Sequence, residues 1–312
     1  MGFIGGEMMY PYILMIIVVI IYAGNILVGK AINELPPFTI AFFRLLIAFI
    51  VLFPLGYRSA RKSRSIFLEY KKPFLVMTLT GITFFNTFIY SSLQFTTASN
   101  VSVLEAIIPV VTVVLSAWML KERLQGVQWA GVLLSFIGAI WVVLDGAIFQ
   151  LASIDWNIGD AIMIGAIGSW AIYSIYVKRY MHLFPSYGAL LVMTGISVVI
   201  LLPIVMFEWI IQGVPSLGTL NYVLGFLYLG IFPSFIALVF YNRAIDLLSA
   251  SEASVFLNFL PVVTMAGAFL WLGESITVMQ GLGALVVITG VILTTQAKGK
   301  RQSVEVQSKE IG

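Results

Sequence analysis

The sequence predicts an all-α integral membrane protein, with ten transmembrane helices arranged as two inverted five-helix repeats. Three observations lead there. Hydrophobic residues make up 60% and charged residues 10% of 312 positions, and the mean hydropathy is +1.03. A soluble domain carries about 25% charged residues, so this much apolar surface needs a bilayer to cover it. Second, one stretch is written twice. Residues 98–122 read ASNVSVLEAIIPVVTVVLSAWMLKE and residues 250–274 read ASEASVFLNFLPVVTMAGAFLWLGE. Pro109 matches Pro261, Glu122 matches Glu274, and the register continues through Gln128 with Gln280. Such a pattern marks internal duplication. Third, the basic residues alternate. With the N-terminus in the cytoplasm, the inner loops and tail collect nearly all the lysines and arginines, the outer side keeps Lys30, and Arg44 lies within a span; cytoplasmic loops are the basic ones. Five helices per repeat is an odd number, so the second copy must be upside down. Accordingly, Lys121-Glu122-Arg123 faces in, whereas its counterpart Gly273-Glu274-Ser275 faces out and has lost both basic residues. Inverted repeats suit a transporter that rocks two related bundles about a central site.

Each span needs about 20 mostly apolar residues. The first, 10–30, follows a start with Glu7 as its charged residue and no clear cleavage site, so it reads as a retained helix rather than a signal peptide. Pro36-Pro37 ends its loop and opens 37–57. The basic run Arg58–Lys72 is an inner loop before 73–94. Spans 98–119 and 126–144 flank Lys121–Arg123, and the polar stretch Asp145–Asn157 separates the repeats. The second repeat runs 158–178, 186–209 after Pro185, 219–242 after Pro215–Gly218, then 250–271 and 278–295. The repeats therefore occupy 10–144 and 158–295, and the polar tail 296–312 is expected to be cytoplasmic and disordered.

Composition also excludes chemistry. The chain has no cysteine and one histidine, His182, so thiolate and multi-histidine metal centres are out. The spans offer essentially one acid and one base, Glu105 and Arg44. No catalytic constellation, cofactor site or nucleic-acid surface is expected, and the basic inner loop reads as a membrane anchor.

Tyr22-Ala-Gly-Asn25 with Lys30, Pro36-Pro37-Phe-Thr39 and Phe43-Arg44-Leu45 resemble the opening of EamA-type transporters of the drug/metabolite transporter superfamily. The doubled Ala-Ser…Pro…Glu module resembles the rest of that domain. The resemblance spans 10–295 as two EamA domains. It implies ten helices, cytoplasmic termini, a central cavity between the halves, peripheral fifth and tenth helices, and export of amino acids or other small metabolites. Two departures stand out: Tyr22 where tryptophan is common, and Glu105 in mid-helix.

Polar side chains in hydrocarbon want a partner or a wet cavity. Ser102, Glu105, Thr112 and Ser116 share one face of the fourth span, and Thr83, Asn86, Tyr90 and Gln94 share one face of the third. Asn25, Trp170, Tyr173 and Asn258 complete a candidate substrate path; the alternative is interhelical glue. Arg44 sits seven residues past Pro37 and Glu105 seven past Ala98, so both lie about 10 Å below the outer ends of their helices. An isolated charge at depth costs on the order of 3 kcal/mol, so a pair is expected. It is a static salt bridge or a carboxylate that exchanges Arg44 for a proton or a cationic substrate; alternatively, Arg44 alone bonds backbone carbonyls, since the resembled family often carries an arginine here. Pro109 and Pro261 remove backbone donors, which should free the carbonyls of Glu105 and Leu257 and make matched hinges. Gly131 and Gly138, like Gly283 and Gly290, are seven apart and lie on one helical stripe. They suit helix packing within a monomer or a weak homodimer. Glu122 and Glu274, at helix ends, are expected to bond to backbone or a neighbouring loop. The expected partners are the bilayer, a small-molecule substrate and a proton as candidate coupling ion. Uptake of a cationic nutrient and a non-transporting scaffold are the rival functions.

Overall fold

Backbone polar groups in lipid must be satisfied within the segment that carries them, and the apolar runs of this chain accordingly form helices. The structure is a computed structural model that describes residues 3–95, 101, 104–122, 124–146, 157–272 and 276–310. Among the described residues there is no strand. The helices are α1 (Phe3–Ala31), α2 (Pro37–Lys62), α3 (Lys71–Ser92), α4 (Ile108–Met119), α5 (Gly126–Val143), α6 (Ile158–Tyr180), α7 (Ser186–Gln212) and α8 (Leu220–Leu247), with a short helix Arg64–Glu69 before α3. Next, α9 opens over Ala250–Val255, tightens to a 3-10 turn at Phe256–Phe259 and resumes over Leu260–Leu272. The last helix, α10, is Val278–Glu310. It runs on through the polar tail that the composition leaves disordered; Lys, Gln and Glu there are good helix formers and no proline interrupts them.

Among the described residues, nine helices are long and apolar enough to cross a membrane. The 12 residues of α4 reach about 18 Å against a hydrocarbon core of about 30 Å, and residues 102–103 just before it lie outside the described set. The uninterrupted span expected at 98–119 is instead broken by a turn at Ala106–Ile107. Pro109 lacks an N–H and its ring clashes with the carbonyl four residues back, so the chain turns and restarts with proline in the first helical turn. Pro261 is likewise the second residue of a restarted helix, behind the 3-10 turn. The bare carbonyl expected at Leu257 is not bare, because the 3-10 turn lets the Leu260 N–H donate to it.

Two wide π turns interrupt α3 at Thr78–Phe84 and α8 at Phe232–Ile236. Pro233 removes a donor in the second, and the Ser234 hydroxyl donates to the Leu229 carbonyl at 2.7 Å, restoring one lost bond.

The N-terminus of α2 has no cap of its own, since Pro36 precedes it. Glu208 of α7 supplies one. Its Oε1 accepts from Phe38 N at 3.1 Å, and its Oε2 accepts from Thr39 N at 2.8 Å and Thr39 Oγ1 at 2.7 Å. A carboxylate there satisfies orphan donors and matches the helix dipole. The glycine stripes meet inside the chain. A Cβ on Gly131 would lie 2.6 Å from the Gly290 carbonyl oxygen, and one on Gly138 would lie 2.7 Å from Val287 N. So α5 and α10 touch backbone to backbone, which uses the stripes within the monomer.

Candidate functional site

A cavity of ≈ 40 Å³ lies among α1, α2, α3, α6, α8, α9 and the residues just before α4. One water needs about 10–15 Å³ by this measure, so there is room for about three waters and not for a metabolite. Of the residues singled out by sequence, Asn25, Arg44, Asn86, Glu105 and Trp170 line it. A larger groove of ≈ 500 Å³ beside α1, α9 and α10 is walled by apolar side chains with Tyr12 and Thr295, and carries no charged group.

Arg44 is 4% exposed. Its Nε donates to Ser234 Oγ at 2.8 Å, and its Nη1 donates to the Tyr90 hydroxyl. Its guanidinium carbon is 5.5 Å from the centroid of the Tyr90 ring. Tyr90 passes the bond on, donating to Asn25 Oδ1 at 3.3 Å. The π turn of α8 makes this possible: Ser234 gives its own proton to Leu229 and turns a lone pair to the arginine. Tyr90 thus joins the site through its hydroxyl.

The expected Arg44–Glu105 ion pair is absent. Among the described residues the salt bridge within 4.0 Å is the exposed Arg243–Asp246 pair. Arg44 is held by two neutral hydroxyls, one from each half of the chain. Glu105 is half-buried, faces the cavity, and receives no hydrogen bond or ion pair among the described residues.

Part of the wall is aromatic. Trp170 Nε1 donates to the Tyr241 hydroxyl at 3.0 Å, which fixes the ring plane. Phe85 packs on Trp170 with centroids 4.3 Å apart, and Tyr22 meets it edge-on at 5.9 Å. Tyr173 sits behind this wall, 5.3 Å from Trp170, and donates to Asn242 Oδ1 at 2.7 Å. It borders the cavity indirectly, behind Trp170 and Gly81. The Gly81 position admits the Tyr173 ring, because a Cβ there would lie 2.2 Å from it. Asn258 is elsewhere: its Nδ2 donates to Ser135 Oγ of α5 at 2.9 Å. Ser102 lies outside the described residues. Pro109 and Pro261 adjoin Ile108 and Leu260, which do line the cavity.

Sequence reasoning does not single out Ser234 or Gly81. The available signal is Pro233, a proline in the middle of a span. It also passes over buried acids within spans, Glu208 at 6% and Glu252 at 1% exposure. Away from the cavity, Lys178 Nζ donates to the carbonyls of Ile245, Asp246 and Leu248 at 3.0, 2.9 and 2.6 Å. Near it, Ser251 Oγ donates to Glu122 Oε2 at 2.6 Å, tying the end of α4 to the start of α9. Its counterpart Glu274 lies outside the described residues.

A model of the EamA-like transporter family matches residues 9–144 and 157–296. The chain belongs to this family. It is 28% identical over 291 residues to an uncharacterized transporter of Archaeoglobus fulgidus, covering 91% of this chain and 96% of that one. It is 27% identical to the uncharacterized transporter YyaM of Bacillus subtilis, over 70% of this chain and 71% of the relative. A solved crystal structure superposes with a TM-score of 0.75 at 16% identity, over 92% of this chain and 98% of the other, which speaks to the fold alone. This EamA-family chain is a multi-pass membrane transporter, and its small central cavity is the candidate site of passage.

Proposed function

We propose that this EamA-family protein exports a small polar or amphipathic, amino-acid-like metabolite across the cytoplasmic membrane by alternating access. Ten helices in two inverted repeats, 10–144 and 158–295, form the two moving bundles, with both termini in the cytoplasm. One observation carries the reading: a cavity walled by both halves, apolar for the most part but carrying Asn25, Arg44, Asn86 and Glu105, in which Arg44 of the first half bonds to Ser234 of the second. A site assembled across two bundles is dismantled and rebuilt as they rock. The π turns of α3 and α8 and the breaks before Pro109 and Pro261 support this, since each puts irregular backbone where it borders a cavity rather than lipid. Outward direction rests on the family; a proton is the candidate coupling ion.

Metabolites that build up in the medium on overexpression identify candidates, and flux in proteoliposomes tests them. Saturable movement of one such metabolite, lost in empty liposomes, is the expected result. Protein that moves none of them under any imposed gradient is a scaffold, and the reading fails.

A further inference from the structure

Arg44 and Glu105 face the same cavity without touching. We propose that they form a two-pole receptor, in which Glu105 takes the ammonium group of a small zwitterionic solute and Arg44 takes its acidic end. This rests on the transport reading above and assigns roles within that site.

The two poles are kept apart by construction. Ser234 holds the Nε edge of Arg44 and Tyr90 holds Nη1. A guanidinium has five N–H donors, so these two bonds leave others without a partner among the described residues. At 4% exposure those donors have the cavity and little else to turn to. The carboxylate of Glu105 likewise borders the cavity with no protein donor on it among the described residues. Burying a charge without a partner is expensive. A cavity that holds both groups unpaired with each other suits a ligand that completes each.

Charge balance selects the ligand class. One cation and one anion line the wall, so a zwitterion leaves the site neutral, whereas a simple amine or a simple acid leaves one uncompensated charge in a poorly hydrated space. The surroundings agree with this polarity. Tyr22, Phe85 and Trp170 line the cavity, and an aromatic ring attracts an ammonium through its face. Asn86 uses its Nδ2 on the Ile82 carbonyl at 2.7 Å, which leaves Oδ1 as an acceptor. Room for about three waters suits a head group; the rest of the solute occupies space that opens as the bundles part.

The test is ligand-dependent thermal stabilisation of the purified full-length protein in detergent, with three probes differing by one group: 2-aminobutyrate, butyrate, which lacks the ammonium, and n-propylamine, which lacks the carboxylate. Ligand that binds the folded state raises its midpoint. In the natural chain, 2-aminobutyrate should act at concentrations about ten-fold or more below either single-pole probe, the size expected for one charge-assisted bond. Glu105→Gln should abolish the preference of 2-aminobutyrate over butyrate. Equal potency of butyrate and 2-aminobutyrate, no stabilisation by 2-aminobutyrate, or undiminished 2-aminobutyrate binding by Glu105→Gln overturns the proposal. Should Glu105→Gln not fold, the three-probe order in the natural chain still decides, and Glu105→Asp should keep that order at lower affinity. The two readings separate cleanly. The predicted order without flux of any metabolite in liposomes sinks transport and leaves the receptor standing. Flux of a metabolite that Glu105→Gln carries at the natural rate and affinity sinks the receptor and leaves transport standing.

Discussion

Glu208 shows how one side chain fixes a helix that it does not belong to. Three donors from Phe38 and Thr39 converge on its carboxylate, and Trp209 Nε1 donates to Thr39 Oγ1 at 2.9 Å beside it. Since α2 carries Arg44, the depth of the arginine depends on this cap. Glu208→Gln keeps one acceptor oxygen and loses the charge, and should cost about 1–3 kcal/mol of stability. Glu208→Ala should cost more, read as a lower thermal midpoint in detergent and less folded protein in the membrane. An unchanged midpoint for both removes the cap from any structural role. The cap is only partly legible in the sequence: Pro36-Pro37 marks where α2 opens, but nothing local names Glu208, 169 residues from Thr39. The same holds for Arg44. Its depth follows from counting residues, which also puts Glu105 level with it. That it bonds to Ser234, 190 residues away, instead of Glu105 depends on how the two halves meet.

At the scale of elements, the contrast between glycines gives a direct check. Gly290 lies where a Cβ would come within 2.4 Å of Ser135 N, while Gly126 has nothing within 4 Å. Gly290→Ala must therefore push α10 off α5, at about 1–3 kcal/mol, and Gly126→Ala should be neutral or slightly stabilising. Equal thermal midpoints for the two variants would mean that α5 and α10 are not held in backbone contact. Periodicity made these stripes readable, because a seven-residue repeat survives any choice of partner. The π turns were not readable that way. A π turn changes no composition and shifts helical phase by a single residue. The prolines at 109 and 261 announce a break but not its form, which is a turn in one case and a 3-10 segment in the other. If these breaks let the half-helices swing, Pro109→Ala or Pro261→Ala should leave folded protein in the membrane and slow turnover several-fold. Normal turnover in both variants makes the breaks a matter of packing.

For the whole molecule, the question is which end is closed. In the orientation proposed above, Lys178, Glu122 and Ser251 stand at the cytoplasmic end, where Lys178 clamps the end of α8 by three carbonyls and Ser251 ties α9 to Glu122. Lys30, the basic residue the charge pattern leaves on the outer side, is exposed. A cation on the last carbonyls of a helix is favourable, so removing it should loosen this end and let the cavity open inward. The natural chain has no cysteine, which makes the consequence measurable. A cysteine in place of Ile26, which lines the cavity, should label with a membrane-impermeant maleimide mainly from outside. Controls at Ser65 and Ser303 should label from the cytoplasm alone, and outside labelling at Ser65 would overturn the orientation. Adding Lys178→Met should raise cytoplasmic labelling at position 26 several-fold, and adding Glu122→Gln should raise it less, because one hydrogen bond is weakened rather than three removed. Cytoplasmic labelling that Lys178→Met leaves unchanged would show that the lysine caps α8 without closing the cavity, and closure would then have to come from the apolar packing of α6 against α8.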